Sequence, residues 1–219
     1  MGGADRLELC SALGEGGLTP SLGLLEAVVA QVAIPVHCMI RPRGGDFRYS
    51  DGELQVMERD IRLAQVAGAR GVVLGLLTRE GRVDAAATRR LVELARPMRV
   101  TFHRAFDAAA DLETALEDVI ATGADILLTS GGAPHLPAGA ARVAALTAQA
   151  HGRIEIMGGS GVRAENAAEL CALTGVDALH GSLRRRIAAP AVGMLPDAPA
   201  ACELHEEDVR ALAAALRRA

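Results

Sequence analysis

Gly123-Ala124-Asp125-Ile126-Leu127-Leu128 joins a glycine to a short apolar run, and the chain uses the same device at three other places. Gly3-Ala4-Asp5 precedes Leu7-Glu8-Leu9-Cys10, Gly68-Ala69-Arg70 precedes Val72-Val73-Leu74, and Gly175-Val176-Asp177 precedes Ala178-Leu179-His180. The last three glycines each follow a helical pattern, where a left-handed residue ending the helix is expected. Each apolar run has the length of a buried parallel strand. The copies lie 65, 55 and 52 residues apart, room for two strand-helix units in each interval. They therefore mark every second strand.

Three further strands are expected between the copies, at Val36 to Ile40, Val100 to His103 and Ile154 to Met157. Helical patterns fill the gaps. Ser50 or Asp51 caps a helix with Leu54, Met57, Ile61 and Ala64 on one face. Asp84 caps the next, which Pro97 stops after Arg96; Asp111 caps another, with Leu112, Ala115, Leu116 and Val119 inward. Strict alternation of this kind means a parallel sheet covered by helices. A doubly wound open sheet is the rival, but no GxGxxG follows the first strand, and the regular repeat favours a TIM-type (β/α)8 barrel. Only seven strands can be counted. Closure would need one more strand and helix ahead of residue 1; either the chain begins late, the reading Gly2-Gly3 favours as the tail of a missing helix, or a partner completes the barrel, or it is left open.

The 219 residues, half of them hydrophobic, suit a single (β/α) barrel domain over residues 1–219. No apolar run approaches the roughly 20 residues that cross a bilayer, and the first residues do not read as a signal peptide. Cys10, Cys38, Cys171 and Cys202 show no CxxC spacing and are expected as reduced thiols in a cytoplasmic chain. With a net charge of −4 and no basic stripe, neither nucleic acid nor membrane is expected as a partner. All 23 basic side chains are arginine, which excludes lysine Schiff-base chemistry. A genome that replaces lysine throughout is enough to explain the surface arginines; arginines at a mouth would also suit carboxylate or phosphate.

In such a barrel the chemistry collects where the strands end. Alternation puts Glu8 and Cys10 on one side of the first strand. The loop Arg41-Pro42-Arg43-Gly44-Gly45-Asp46-Phe47 offers two arginines, Arg41 and Arg43, to one anion, with a surface turn as the alternative reading. Thr101 and His103 are expected to point inward, with His103 titrating near neutral pH and Asp107 orienting it; a hydrogen-bonded core histidine is the other reading. Thr129-Ser130-Gly131-Gly132, Gly158-Gly159-Ser160-Gly161 and His180-Gly181-Ser182 follow later strands, and the last two fall where barrels commonly bind phosphate. Ser130, Gly159, Ser160 and His180 are thus expected around a small anionic ligand, with Glu8, His103 and Asp46 as acid/base groups. For a metal, Cys10, Cys38, Met39, His103 and His180 are the available donors, although Cys38 has the parity of a helix-facing residue and Cys171 reads as core.

Taken together, Gly3-Ala4-Asp5-Arg6-Leu7-Glu8-Leu9-Cys10, Glu15-Gly16-Gly17-Leu18-Thr19-Pro20-Ser21, Ile40 to Phe47, Tyr49-Ser50-Asp51, Thr101 to Asp107 and Leu128-Thr129-Ser130-Gly131 closely resemble the CutC family of copper homeostasis proteins. The likeness covers roughly residues 3 to 182. It implies a TIM-type barrel, a cytoplasmic location, often a homodimer, and a role in handling copper as Cu(I). Members usually carry a strand and helix ahead of the Gly-Ala-Asp motif. Some add a cysteine there, proposed to bind Cu(I) with the one matching Cys10. Here Cys10 stands without it, and the tail after Ser182 departs from the family pattern. Two functions follow: copper binding, resting on the resemblance and Cys10, and an enzyme acting on a small anionic, phosphorylated metabolite, resting on the polar mouth. A scaffold without chemistry is weaker, because charge buried at a mouth costs stability unless it serves something.

Overall fold

The computed structural model describes residues 2–187 and 202–217. Seven parallel strands run in sequence order: β1 (Leu7–Leu9), β2 (Val36–Met39), β3 (Gly71–Leu74), β4 (Arg99–Phe102), β5 (Ile126–Thr129), β6 (Glu155–Gly159) and β7 (Ala178–His180). Six helices alternate with them: α1 (Leu22–Gln31), α2 (Asp51–Val66), α3 (Ala85–Ala95), α4 (Leu112–Thr122), α5 (Leu136–Ala150) and α6 (Ala167–Thr174). All seven expected strands are present, and the repeated glycines do what their position requires. Gly123 and Gly175 end α4 and α6 with φ of 79° and 63°, a conformation that costs other residues a Cβ clash. Ser50 begins α2 with a reciprocal capping box to Glu53, and Asp84 and Asp111 cap α3 and α4.

Register and burial divide each strand into two faces. Val36, Cys38, Ile40, Val72, Leu74, Val100, Phe102, Leu127 and Ile156 join the helices in one core. Ile126, Leu128 and Met157 form a separate apolar cluster with Ala178 on the opposite face, inside the curl. Registers such as Thr101 with Ile126, Ile126 with Glu155, and Gly159 with His180 carry that inner face around the sheet. Cys38 therefore faces the helices, as its parity predicts; Cys171, expected in the core, is only half-buried.

Among the described residues, β1 and β7 do not pair with one another, so the sheet is a curled half-barrel with a seam. Beyond β7 the chain forms a two-stranded antiparallel ribbon, β8 (Arg184–Arg186) with β9 (Cys202–Leu204), and a last helix, α7 (Glu206–Leu216). That helix packs beside α6 and reaches the residues ahead of β1. A side chain at Gly2 would collide with Val209, one at Gly3 would touch Ala213, and one at Gly181 would press on Leu212. The outside of the seam is thus covered from the carboxyl-terminal side of the chain.

Candidate functional site

Three inward residues meet at the seam. Glu8 on β1 and His180 on β7 approach to 3.9 Å between Oε2 and Nδ1, with side-chain exposures of 16% and 29%. Cys10 follows on the same face of the first strand, and its thiol is half-buried. Burial and the negative charge of Glu8 push that thiol up to about 11, against an opposing pull from Arg184. A Cβ placed on Gly17 would lie 3.3 Å from both Cys10 Sγ and the Met39 methyl. The turn that carries Gly17, at a φ of 95°, therefore packs against both the Cys10 thiol and the Met39 methyl of the adjacent strand. Their positions share the inward face, since Glu8 registers with His37 and residues two apart alternate back to the same side.

His103 lies deeper. Its ring packs 5.1 Å from Phe47, which the loop after β2 folds back over it. Nδ1 accepts the Ala105 N–H at 3.1 Å, which leaves the ring proton on Nε2. Gly75 makes this placement possible, because any Cβ there would overlap the imidazole. Neither His103 Nε2 nor the inward Thr101 hydroxyl has a hydrogen-bond partner among the described residues. Burial first, and Arg41 second, lower the imidazole pKa to about 3. A histidine titrating near neutrality was expected here; desolvation overrides that, and His103 is neutral at physiological pH.

The two arginines do not form an open fork. Arg41 is buried and directs Nη1 to the Gly17 carbonyl at 3.1 Å and Nη2 to the Gly45 carbonyl at 2.9 Å, while its Cζ sits 4.9 Å from the Phe47 ring. It pins two loops to each other. Arg43 turns outward to Glu53, to Asp46 at 3.0 Å and to the Asp46 and Gly44 carbonyls, each at 3.1 Å. Asp46 is paired with Arg43 and Arg48 on the rim and its carboxyl is held below the usual range, first by Arg48. It lines a cleft of about 610 Å³ with Tyr49, Glu53, Thr78 and Asp84, whose walls include neither Glu8 nor His103.

Asp107 has another task than orienting His103. It accepts hydrogen bonds from the Thr129 hydroxyl (2.6 Å), the Ser130 N–H (3.0 Å), the Gly132 N–H (3.0 Å) and Arg104 Nε (2.7 Å). Ser130 is fully buried, with its hydroxyl bonded to the Ala133 carbonyl at 2.6 Å and receiving Arg104 at 2.8 Å. Ser160 donates to the Pro134 carbonyl at 3.0 Å, and Gly159 leaves room for Leu128. Of the expected site residues, Glu8, His180 and Cys10 converge. Arg41 and His103 stand beneath the loop lid, Ser130 and Ser160 brace the loop after β5, and Arg43 and Asp46 sit on the outer rim. Sequence reasoning missed the seam-spanning Glu8–His180 approach and the role of Asp107; the run of loop donors at Thr129 to Gly132 is the signal for the second.

The fold and this mouth define an incomplete TIM-type barrel with a polar, sulfur-bearing opening. The chain belongs to the CutC family, whose model matches residues 1–185. It is 53% identical over 187 residues to the CutC family protein of Chromobacterium violaceum, covering 85% of this chain and 76% of that one. The human protein named copper homeostasis protein cutC homolog is 48% identical over 183 residues, with coverage of 84% and 67%. Among solved structures, a copper homeostasis protein CutC of Streptococcus agalactiae superposes with a TM-score of 0.77 at 37% identity, covering 81% of this chain and 88% of that one. The phosphoribosylanthranilate isomerase of Pyrococcus furiosus shares the fold alone, at a TM-score of 0.52 and 12% identity over 99% and 90% of the two chains. Among the described residues no helix is long and apolar enough to cross a membrane.

Proposed function

We propose that this protein binds Cu(I) at the mouth of its half-barrel, with the Cys10 thiolate and the Met39 thioether as the donors, in a copper homeostasis role. The observation that carries the reading is the shared approach of Cys10 Sγ and the Met39 methyl to the glycine at position 17. Thiolate and thioether are the soft ligands that select Cu(I), whereas arginine and carboxylate are poor ones. Among the described residues no three His, Cys, Asp or Glu side chains form a cluster suited to a metal, so a hard, closed centre is not the model. A half-buried thiol beside a buried methionine, with Cys10 reachable from the mouth, suits an ion that is held and passed on. Glu8 beside Cys10 adds a compensating negative charge. A cytoplasmic setting would keep Cys10 reduced, and the homodimer implied by the resemblance is compatible with this reading.

Because the thiol is pushed up to about 11, copper must displace a proton from it. Anaerobic competition against a chromophoric Cu(I) chelator is expected to show one bound ion and an affinity rising about tenfold per pH unit between pH 7 and 8. Cys10→Ser is expected to abolish that binding, and Met39→Leu to weaken it roughly tenfold or more. Equal affinity in the wild type and Cys10→Ser would end the proposal.

A second reading rests on a separate observation, the 3.9 Å approach of Glu8 to His180. A carboxylate beside an imidazole on an inner face is an acid/base pair for a small anionic, phosphorylated metabolite. The unpartnered Thr101 hydroxyl and His103 Nε2–H lie on that inner face as hydrogen-bonding groups for its oxygens. A metal-free protein stabilised by such a metabolite, with the effect lost in Glu8→Gln, would favour this reading over copper.

A further inference from the structure

The other end of the ring carries a cavity of about 370 Å³, lined by Asp5, Arg6, Pro35, His37, Arg70 and Arg99. Parallel strands all begin at this rim, so residues leading into β1, β3 and β4 bring three guanidiniums together. Glu155 at the start of β6 accounts for two of them. Its Oε1 accepts Arg6 Nη2, which also lies 3.2 Å from Met157 Sδ, and its Oε2 accepts Arg99 Nη2 at 2.9 Å. That bridge reads as a structural plug of the barrel floor. Arg70 is left outside it. The Arg70 backbone joins the strand ladder, but its side chain makes no hydrogen bond or ion pair with any described residue. Asp5 lies on the same wall and makes no hydrogen bond or ion pair with a described residue, so the lining sets three guanidiniums against one carboxylate, with Glu155 and Asp125 close enough to act on His37.

We propose that this amino-terminal rim binds a phosphate-type oxyanion, held by Arg70 together with the remaining N–H groups of Arg6 and Arg99. Three planar forks reaching from different strands suit a tetrahedral oxyanion, which offers acceptors in several directions; a carboxylate offers two oxygens in one plane. The volume exceeds that of phosphate itself, which leaves room for the organic part of a monoester. The site is separate from the Cys10 mouth and does not depend on the copper reading.

Titrating the full chain with inorganic phosphate, with chloride at matched ionic strength as the control, tests this directly. Calorimetry is expected to give saturable binding that weakens about tenfold or more in Arg70→Ala, since a hydrogen-bonded charge pair is lost. The melting temperature without phosphate should be unchanged in that variant, because the side chain makes no hydrogen bond or ion pair with any described residue. Cys10→Ser should bind phosphate as the wild type does, which separates this rim from the opposite mouth. Non-saturating heats in the wild type, or undiminished binding in Arg70→Ala, would overturn the assignment.

Discussion

Asp107→Ala is expected to destabilise the protein by about 3–5 kcal/mol, the cost of leaving several buried donors without their shared acceptor. The Asp107 side chain is 8% exposed. It gathers the Thr129 hydroxyl, the amides of Ser130 and Gly132, and the Arg104 guanidinium onto one carboxylate. Alanine leaves those donors facing one another, with the Arg104 charge uncompensated beside them. Each buried donor without an acceptor costs about 1–3 kcal/mol, and the network cannot disperse because Ser130 is enclosed. Asp107→Asn keeps the shape and one carbonyl acceptor, so its loss should be roughly half as large. Chemical denaturation of the two variants against the wild type measures both. A change under 1 kcal/mol in Asp107→Ala would mean that the loop after β5 is held by something else.

The strand order was legible because each of the last three glycine copies records two local events, a helix ending and a strand beginning. Parity likewise placed Cys38 outward and Thr101 and His103 inward. What the pattern could not carry was anything set by ring closure. Glu8 and His180 are separated by almost the whole sheet in sequence and meet only because β1 and β7 flank the seam. The arginine pair misled for a related reason. Two arginines in a glycine-bearing loop look like a clamp, but the loop returns on itself and aims the Gly17 and Gly45 carbonyls at Arg41. Backbone acceptors are invisible in side-chain spacing. The depth of His103 was hidden too, because the ring that buries it, Phe47, arrives from the loop of another strand.

Stability is expected to fall by about 4 kcal/mol between pH 7 and pH 5, with two buried histidines responsible. Burial, then Arg6 and Arg99, lower His37 to about 4, against Glu155 and Asp125; burial and Arg41 lower His103 to about 3. In the unfolded chain each titrates near 6.5. Their folded values lie below that, so the stability they contribute is fully present above about pH 6.5. It drains as the pH falls, because the unfolded chain gains protons that the native fold refuses. At pH 5 each histidine contributes a loss of about 2 kcal/mol, and the decline continues until the native rings themselves protonate. Ion-paired carboxylates such as Glu155, whose pKa is lowered, add their own loss only at more acidic pH, while Asp60, which burial raises, offsets part of the imidazole loss as the pH falls. Denaturation at the two pH values gives the total, and His103→Gln should remove about half of the difference. Imidazole NMR supplies the direct reading: of the six histidines, two should show no titration above pH 5. Equal stability at pH 7 and pH 5 would show that these rings are hydrated in solution, and the enclosed inner face of the half-barrel would have to be redrawn.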